Sequence, residues 1–294
     1  MFRNILKSRA TSTLTGVMLG TAGAVSYSMS TSNALRNETA GQLVPKQWVP
    51  LKLKSSKDVS HDTKEIIFDL DNDKILGGST AYCVLFKFMQ DGKPVVRPYT
   101  PVSDPSTVGE AVFVIKKYPG GAMGTHVHDL KPGETIDVQG PIPKYPFEKP
   151  NKHKKIVMLG GGSGITPLYQ VLAHIAKDPE DKTEVHLLYG SQTPNDILLK
   201  KEIDNVVAKK PGQLKVTYYV DKGDKSFDGK VGYISKEDVV AIVKPDDENH
   251  RVFVCGPPGF MKALSGPKKS PTDQGDLTGS LQELGFTKDT VFKF

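Results

Sequence analysis

The sequence predicts a β + α/β protein: an antiparallel β-barrel domain followed by a domain built on a doubly wound parallel sheet. Three observations carry that expectation. The apolar residues recur with one rhythm before about Pro150 and another after it. Strand and helix patterns alternate four times in the second half. A glycine-rich turn, "LGGGSGITP" (159–167), joins the first strand of that half to its first helix.

From Trp48 to about Phe147 the chain is a series of short apolar runs, "WVPLKLKSS", "TKEIIFDL", "AYCVLFKFM", "AVFVIKKY" and "ETIDVQG". They are separated by "DND", "LGGST", "QDGKP" and "KPGE". β-branched and aromatic residues between Gly, Pro and Asp clusters argue for antiparallel strands closing into a small barrel, and "QDGKP" is a hairpin signal. After "EKPNKHKK", the run "KIVMLGGG" is continuously apolar, as in a strand buried on both faces. In "TPLYQVLAHIAKD", Leu168, Val171, Leu172, Ile175 and Ala176 fall on one helical face. "EVHLLYGSQ", "DILLKKEIDNVVAKK", "LKVTYYVD", "SKEDVVAIV" and "RVFVCGPPGFMKAL" continue the alternation, a pattern that places a nucleotide at the carboxyl ends of the strands. The expected boundaries are 1–45 for a targeting or anchor segment with its tether, 46–150 for the barrel and 151–294 for the α/β domain.

The 294 residues carry 39 basic and 33 acidic side chains, a net charge of +6. Arg3, Lys7, Arg9 and Arg36 lie in an opening stretch without acids, so the body is only mildly basic. That balance suits an acidic protein partner or an anionic cofactor and speaks against nucleic acid. The two cysteines, Cys83 and Cys255, belong to no CxxC, so a disulfide framework, a structural zinc and an iron–sulfur cluster are not expected. The HxH formed by His126 and His128 lacks a third ligand, and no metal centre is expected. "MFRNILKSRATSTL" is basic, hydroxyl-rich and acid-free, the composition of a mitochondrial presequence, and the weakly apolar 14–29 follows it. A marginal membrane anchor and a secretory segment are the alternatives, with residues 30 to about 45 as a flexible tether.

Four motifs hold candidate site residues. In "RPYTPVS" (97–103), Arg97 offers a planar fork suited to a diphosphate, Tyr99 a ring for a flat heterocycle, and Thr100 a hydroxyl. Pro98 and Pro101 keep the segment extended, and a stiff edge strand is the competing explanation. In "FVIKKYPGGAMGTHV" (113–127), a strand ends in Lys116 and Lys117, which point to opposite faces, before a glycine-rich turn. In "LGGGSGITP", Thr166 suits an N-cap and Pro167 the first helical position, leaving unpaired N–H groups for a ligand. The spacing is not GxGxxG, so a standard pyrophosphate grip does not follow. "VCGPPGFM" (254–261) puts a cysteine and two prolines at the same carboxyl edge.

In this order, RPYTPVS, IKKYPGGAMG, GGGSGITP and CGPPGFM resemble the ferredoxin-reductase-like flavoproteins, and within them the NADH-cytochrome b5 reductases of the fungal mitochondrial type. The resemblance implies that the barrel binds FAD and the α/β domain binds NADH. Arg97 would grip the FAD diphosphate, Tyr99 would lie on the isoalloxazine ring, and Thr100 would bond near its hydride-accepting nitrogen. Ser103, Val114, Ile115, Tyr118, Gly121, Met123 and Gly124 would complete the bed, with Thr166 and Pro167 reaching it from the second domain. Lys116 would contact the NADH diphosphate. Gly161, Gly162, Gly190, Gln192, Cys255, Gly256, Pro257 and Met261 would line the nicotinamide crevice, and Thr100 and Cys255 stand as the catalytic candidates. Asp221 would accept from a ribose 2′-hydroxyl and repel a 2′-phosphate, favouring NADH over NADPH.

Two features depart from the family pattern. Position 124 is glycine where serine is usual, and "SGPKKSPTDQGDLTGS" reads as an exposed insertion before a C-terminal Phe294 expected near the nicotinamide. The resemblance further implies hydride transfer from NADH to FAD and one-electron delivery to cytochrome b5 or a similar acidic haem protein. Lys116, Lys117, Lys144, Lys152 and Lys155 would steer that partner. It also implies a monomer held at a membrane by its N-terminal segment, at the mitochondrial outer membrane with a processed form in the intermembrane space. A nitrate-reductase-type or free-flavin reductase, and a non-catalytic nucleotide-binding scaffold, are the rival readings.

Overall fold

Alternating burial in the first half resolves into six antiparallel strands. In the computed structural model, which describes residues 39–147 and 151–294, these are β1 (Val49–Ser60), β2 (Thr63–Asp69), β3 (Tyr82–Gln90), β4 (Lys93–Tyr99), β5 (Glu110–Lys116) and β6 (Thr135–Pro143), in the order β4-β3-β6-β1-β2-β5. Asp91 and Gly92, with φ of 50° and 73°, turn β3 into β4, the left-handed pair that a tight hairpin needs. Pro94 and Pro98 sit on β4, an edge strand where a missing N–H leaves no ladder bond unmade. Beyond its end, the Val102 N–H donates to the Val112 carbonyl (2.8 Å) and the Val112 N–H donates to Ser103 Oγ (3.1 Å), so the segment that follows β4 is tied across to β5 at the other end of the sheet. Phe68, Phe86 and Phe113 fill the interior, their rings in edge contacts at 5.6, 5.9 and 5.0 Å.

Two parts of the first half differ from the sequence expectation. Residues up to 45 are not all tether: Gln42 and Leu43 donate to the carbonyls of Ile75 and Leu76, and Leu43 is buried. An apolar side chain with two backbone partners docks rather than dangles. The targeting and anchor readings fall mainly on residues 1–38, outside the described residues. Among those described, no helix is long and apolar enough to cross a membrane. The "YPGGAMGTHV" stretch is a turn followed by a helix, α1 (Ala122–Asp129). Pro119 and Gly120 (φ 72°) form the corner closed by Gly121 N–H to Tyr118 O (2.9 Å), and the glycines hid the helical period that follows. His126 stacks on Phe88 at 4.0 Å, and His128 Nε2 lies 2.8 Å from the Ile115 carbonyl, so both are packing residues.

The second half forms a six-stranded parallel sheet of β7 (Lys155–Gly161), β8 (Glu184–Ser191), β9 (Leu214–Val220), β10 (Lys230–Val231), β11 (His250–Cys255) and β12 (Val291–Lys293), ordered β10-β9-β8-β7-β11-β12. The chain reverses direction across the sheet between β7 and β11, which makes their carboxyl ends the switch point. Ile156 and Met158 enter one core layer while Val157 and Leu159 enter the other, as a two-face buried strand requires. The helices are α2 (Ile165–Lys177), α3 (Lys200–Ala208), α4 (Lys236–Val240), α5 (Pro258–Leu264) and α6 (Gly279–Glu283).

Three sequence expectations are corrected here. Helix α2 starts at Ile165 with Gly164 at its N-cap, because a 3-10 turn over Gly162–Gly164 winds the chain early; Thr166 and Pro167 are its second and third residues. Helix α3 begins at Lys200, not at Asp196, because Leu199 takes a left-handed φ of 56° and Asp196 closes a capping box on Thr193. The polar stretch 265–280 is tied down rather than freely exposed. Lys293 Nζ donates to the carbonyls of Ser265 (3.4 Å), Pro267 (3.1 Å) and Asp276 (3.0 Å), and Gln274 bonds the Lys293 backbone in both directions (2.9 and 2.7 Å).

One face of α2 docks on the barrel. The Tyr82 N–H donates to Gln170 Oε1 (2.9 Å), Gln170 Nε2 reaches the Pro101 carbonyl (3.4 Å), Thr80 Oγ1 lies 2.6 Å from His174 Nδ1, and Lys177 pairs with Asp104 (2.8 Å). Gln170→Ala would leave the buried Tyr82 N–H without an acceptor, a loss of about 1–3 kcal/mol. Thermal melts should show a drop of several degrees that Gln170→Glu does not restore, because a buried carboxylate would face the Pro101 carbonyl oxygen; an unchanged melt would refute the clamp. Burial alone would raise the Asp104 carboxyl, but hydrogen bonds from Lys177 and Ser106 hold it at about 2. Its tie is therefore complete above the ordinary carboxylate pKa and fades as pH falls towards 2. Melting curves of the wild type and Asp104→Asn should differ slightly at pH 5, since the pair is partly exposed, and converge at pH 2.

Candidate functional site

The β4 edge and the switch point face each other across a cleft of about 770 Å³. The barrel supplies Arg97, Pro98, Tyr99, Thr100, Val114, Ile115, Lys116, Tyr118, Gly121, Met123 and Gly124 to its lining; the α/β domain supplies Ser163, Gly164, Thr166, Pro167, Cys255, Gly256, Pro257 and Phe294. Fifteen of the residues singled out in the sequence thus meet in one place. Tyr99 is set by the core, its ring 4.8 Å from that of Phe86. Burial pushes its hydroxyl up to about 12, so it stays protonated at neutral pH. The Arg97 guanidinium is exposed and donates to its own neighbour's carbonyl, Val96 O (2.7 Å). Tyr118 Oη and Ser163 Oγ, 2.7 Å apart, bridge the two walls.

The three helices that open on the cleft, α1, α2 and α5, begin without a side-chain cap or an acid in the first turn. Their positive dipole ends face the cleft, which fits a cofactor that carries phosphates and gains negative charge on reduction, although the first N–H of α2, at Ile165, is taken by the carbonyls of the 3-10 turn before it. At Gly124 a Cβ would stand 3.2 Å from the Lys116 carbonyl and 3.3 Å from the Lys117 Cα, so α1 lies close against the end of β5 and a side chain there would need a shift of a few tenths of an ångström.

Gly164 is tighter still. An added Cβ would lie 2.4 Å from the Cys255 carbonyl oxygen and 2.6 Å from the Gly256 nitrogen, backbone that cannot swing away. Register pairs Cys255 with Gly160, so the loops after β7 and β11 touch at the switch point. Burial pushes the Cys255 thiol up to about 12, leaving it neutral at physiological pH; it shapes the wall and supplies no charge or base.

Seven of the sequence candidates lie outside the cleft lining. Ser103 accepts from the Val112 N–H and ties the segment after β4 to β5. Gly161 sits under Phe260, where a Cβ would meet the ring at 2.9 Å. Gly162 takes a φ of 50° with its carbonyl held by Tyr189 Oη at 3.0 Å. Met261 is buried in the core beneath the crevice. Gly190 and the exposed Asp221 end β8 and follow β9 along the same carboxyl edge, and Gln192 lines a neighbouring groove. Lys155 belongs to the opposite edge: it opens β7, pairs with Glu184 (3.8 Å) and donates to Ile242 O (3.2 Å), and Lys152 precedes that same end. Neither is at the cleft rim, because a seven-residue strand separates its two ends by about 20 Å.

The sequence reading missed Ser163 and Gly164, though the glycine run held them, and also Cys83, Lys268, Ser270 and Pro271. Lys268 arrives on the loop thought to be an insertion, and burial followed by the nearby Lys144 charge lowers its amine. Gly164→Ala should force the two switch-point loops apart, costing about 1–3 kcal/mol and several degrees of melting temperature. Gly259→Ala, with nothing within 4 Å of the new methyl in α5, should cost nothing. Equal melting of the two variants would refute the close-approach argument.

Residues 50–147 match the model of the oxidoreductase FAD-binding domain, and residues 158–266 match that of the oxidoreductase NAD-binding domain. NADH-cytochrome b5 reductase 2 of Scheffersomyces stipitis is 51% identical over 95% of this chain and 94% of its own length; that of Candida albicans is 52% identical over 92% and 91%. Among solved structures, the cytochrome b5 reductase domain of Ulva prolifera nitrate reductase superposes with a TM-score of 0.74 at 29% identity, covering 87% of this chain and all of that one. A barrel edge and a parallel-sheet switch point facing one another, with relatives at half identity along nearly the whole length, have one common account: the chain belongs to the NADH-cytochrome b5 reductase family of FAD- and NAD-binding oxidoreductases.

Proposed function

We propose that this protein takes hydride from NADH onto FAD and delivers single electrons to cytochrome b5. The observation that carries the reading is the opposition of Arg97, Tyr99 and Thr100 on the β4 edge to Thr166 and Cys255 at the switch point. When bound, FAD supplies the conversion of a two-electron donor into one-electron steps. The chain's own contribution is placement. Tyr99 and the cap-free α1 form the floor and phosphate end of the FAD bed, while the Cys255–Pro257 wall and Phe294 confine the nicotinamide. Thr100 and the dipole of α2 favour negative charge developing between them. No acid–base group is required, and the neutral Cys255 thiol fits a positioning role.

Lys116, Lys144 and Lys268 line the cleft and Lys117 stands exposed beside it, a basic rim for an acidic haem protein. Asp221, at the carboxyl edge beyond β8, suits a ribose 2′-hydroxyl. The segments 46–150 and 151–294 act as the FAD and NADH units. The acid-free N-terminal composition supports a mitochondrial address with attachment to the outer membrane and a processed form in the intermembrane space. The body works as a monomer.

Purified protein should carry a yellow flavin that bleaches with one equivalent of NADH anaerobically and far more slowly with NADPH. Asp221→Ala should raise the NADPH-to-NADH rate ratio at least about tenfold, the worth of one lost charge–charge discrimination. Stopped-flow absorbance measures both. A protein that neither holds flavin nor bleaches would end the reductase reading, and an unchanged ratio would end the role of Asp221.

A further inference from the structure

The β1–β2 turn of the barrel touches the loop after β8 at a second place, away from the cleft lining. His61 and Asp62 come from the turn, Asp196 from the loop, and one donor atom of each lies within 4.8 Å of the others. His61 Nδ1 stands 3.3 Å from Asp196 Oδ1, and Nε2 stands 3.4 Å from Asp62 Oδ2. Asp196 is 6% exposed, and only one of its oxygens is occupied: Oδ2 accepts from the Thr193 N–H (3.1 Å) and hydroxyl (2.7 Å), while Oδ1 has no hydrogen-bond partner. A buried carboxylate oxygen aimed at an imidazole without a hydrogen bond to it is costly unless something else satisfies it.

We infer that His61, Asp62 and Asp196 form a site for one zinc-class divalent cation that ties the barrel to the nucleotide-binding domain. Two ligands about 2.1 Å from a tetrahedral centre stand about 3.4 Å apart, close to the His61 Nδ1–Asp196 Oδ1 separation; one ion takes only one imidazole nitrogen, so the exposed His61 ring must turn for Asp62, which faces Nε2, to join the same shell. One imidazole with two carboxylates is a borderline donor set, suited to zinc and poor for calcium or magnesium, which prefer all-oxygen cages. The groove beside the cluster, lined by Ser60, Gln192, Thr193 and Asn195, leaves room for a water to complete the shell. The two carboxylates carry one nearby cation, Lys116, which holds Asp62 Oδ2 at 2.5 Å. A metal ion and Lys116 therefore compete for the same oxygen. The site stands independently of the electron-transfer reading, and its occupancy would set how firmly Asp62 holds a lysine at the cleft wall.

Equilibrium dialysis of the full-length holoprotein against zinc, with bound metal measured by mass spectrometry, tests the site. The expected result is one zinc per chain, with calcium and magnesium failing to displace it. His61→Ala removes an exposed side chain that the fold does not need, and it should weaken zinc at least tenfold; Asp196→Asn should do the same. Lys116→Met, by removing the competing cation, should tighten binding, a change that a merely structural ion pair would not produce. X-ray absorption should show nitrogen and oxygen neighbours and no sulfur. No bound zinc, equal binding by His61→Ala, or sulfur in the shell would each overturn the proposal.

Discussion

The structure turns on the polar face of helix α2. Gln170, His174 and Lys177 recur at the helical period on the side away from the sheet's core, and each takes a partner on the barrel. Gln170 matters most because it is buried and because its two partners flank the site: the Tyr82 N–H opens β3, and the Pro101 carbonyl directly follows Thr100. The helix that begins at the glycine turn therefore also fixes the strap that faces that turn. Hydride transfer tolerates little misplacement, so a side chain that sets the distance between two cofactor walls acts on the chemistry without touching it.

Within each wall, packing places the functional groups. Phe68 and Phe113 fix Phe86, and Phe86 supports the Tyr99 ring, so the barrel interior decides where an aromatic face meets the cleft. On the other side, two backbone segments approach so closely at Gly164 that the site's shape depends on an absent methyl group. At Gly124 the approach of α1 to β5 is looser, a Cβ there standing 3.2 Å from the Lys116 carbonyl. Glycine here serves proximity, not unusual dihedral angles, since neither residue has a positive φ.

The ionisable groups in the cleft fit electron transfer better than acid–base catalysis. The Tyr99 hydroxyl and the Cys255 thiol are both driven towards their neutral forms by burial. The cationic side-chain types on the lining are Arg97, Lys116, Lys144 and Lys268, the last with its amine lowered by burial. Such a cleft attracts phosphates and an acidic partner while leaving proton handling to the cofactors.

Much of this was legible in the residue order. Hydrophobic period separated the antiparallel half from the parallel half, because a strand buried on one face alternates and one buried on both does not. Motif chemistry brought out Arg97, Tyr99, Thr100, Thr166 and Cys255, whose side-chain types and strand-end positions already point to a ligand. Other features depended on contacts between distant segments. Local pattern does not reveal that Gly164 must clear Cys255, that Lys293 pins the loop bearing Lys268, that Lys155 opens the far edge of the sheet, or that His61 meets Asp196. Period and turn chemistry are set by neighbours along the chain, so sequence determines them; approach distances, burial and pairing between segments far apart in the chain arise only when the chain has folded back on itself.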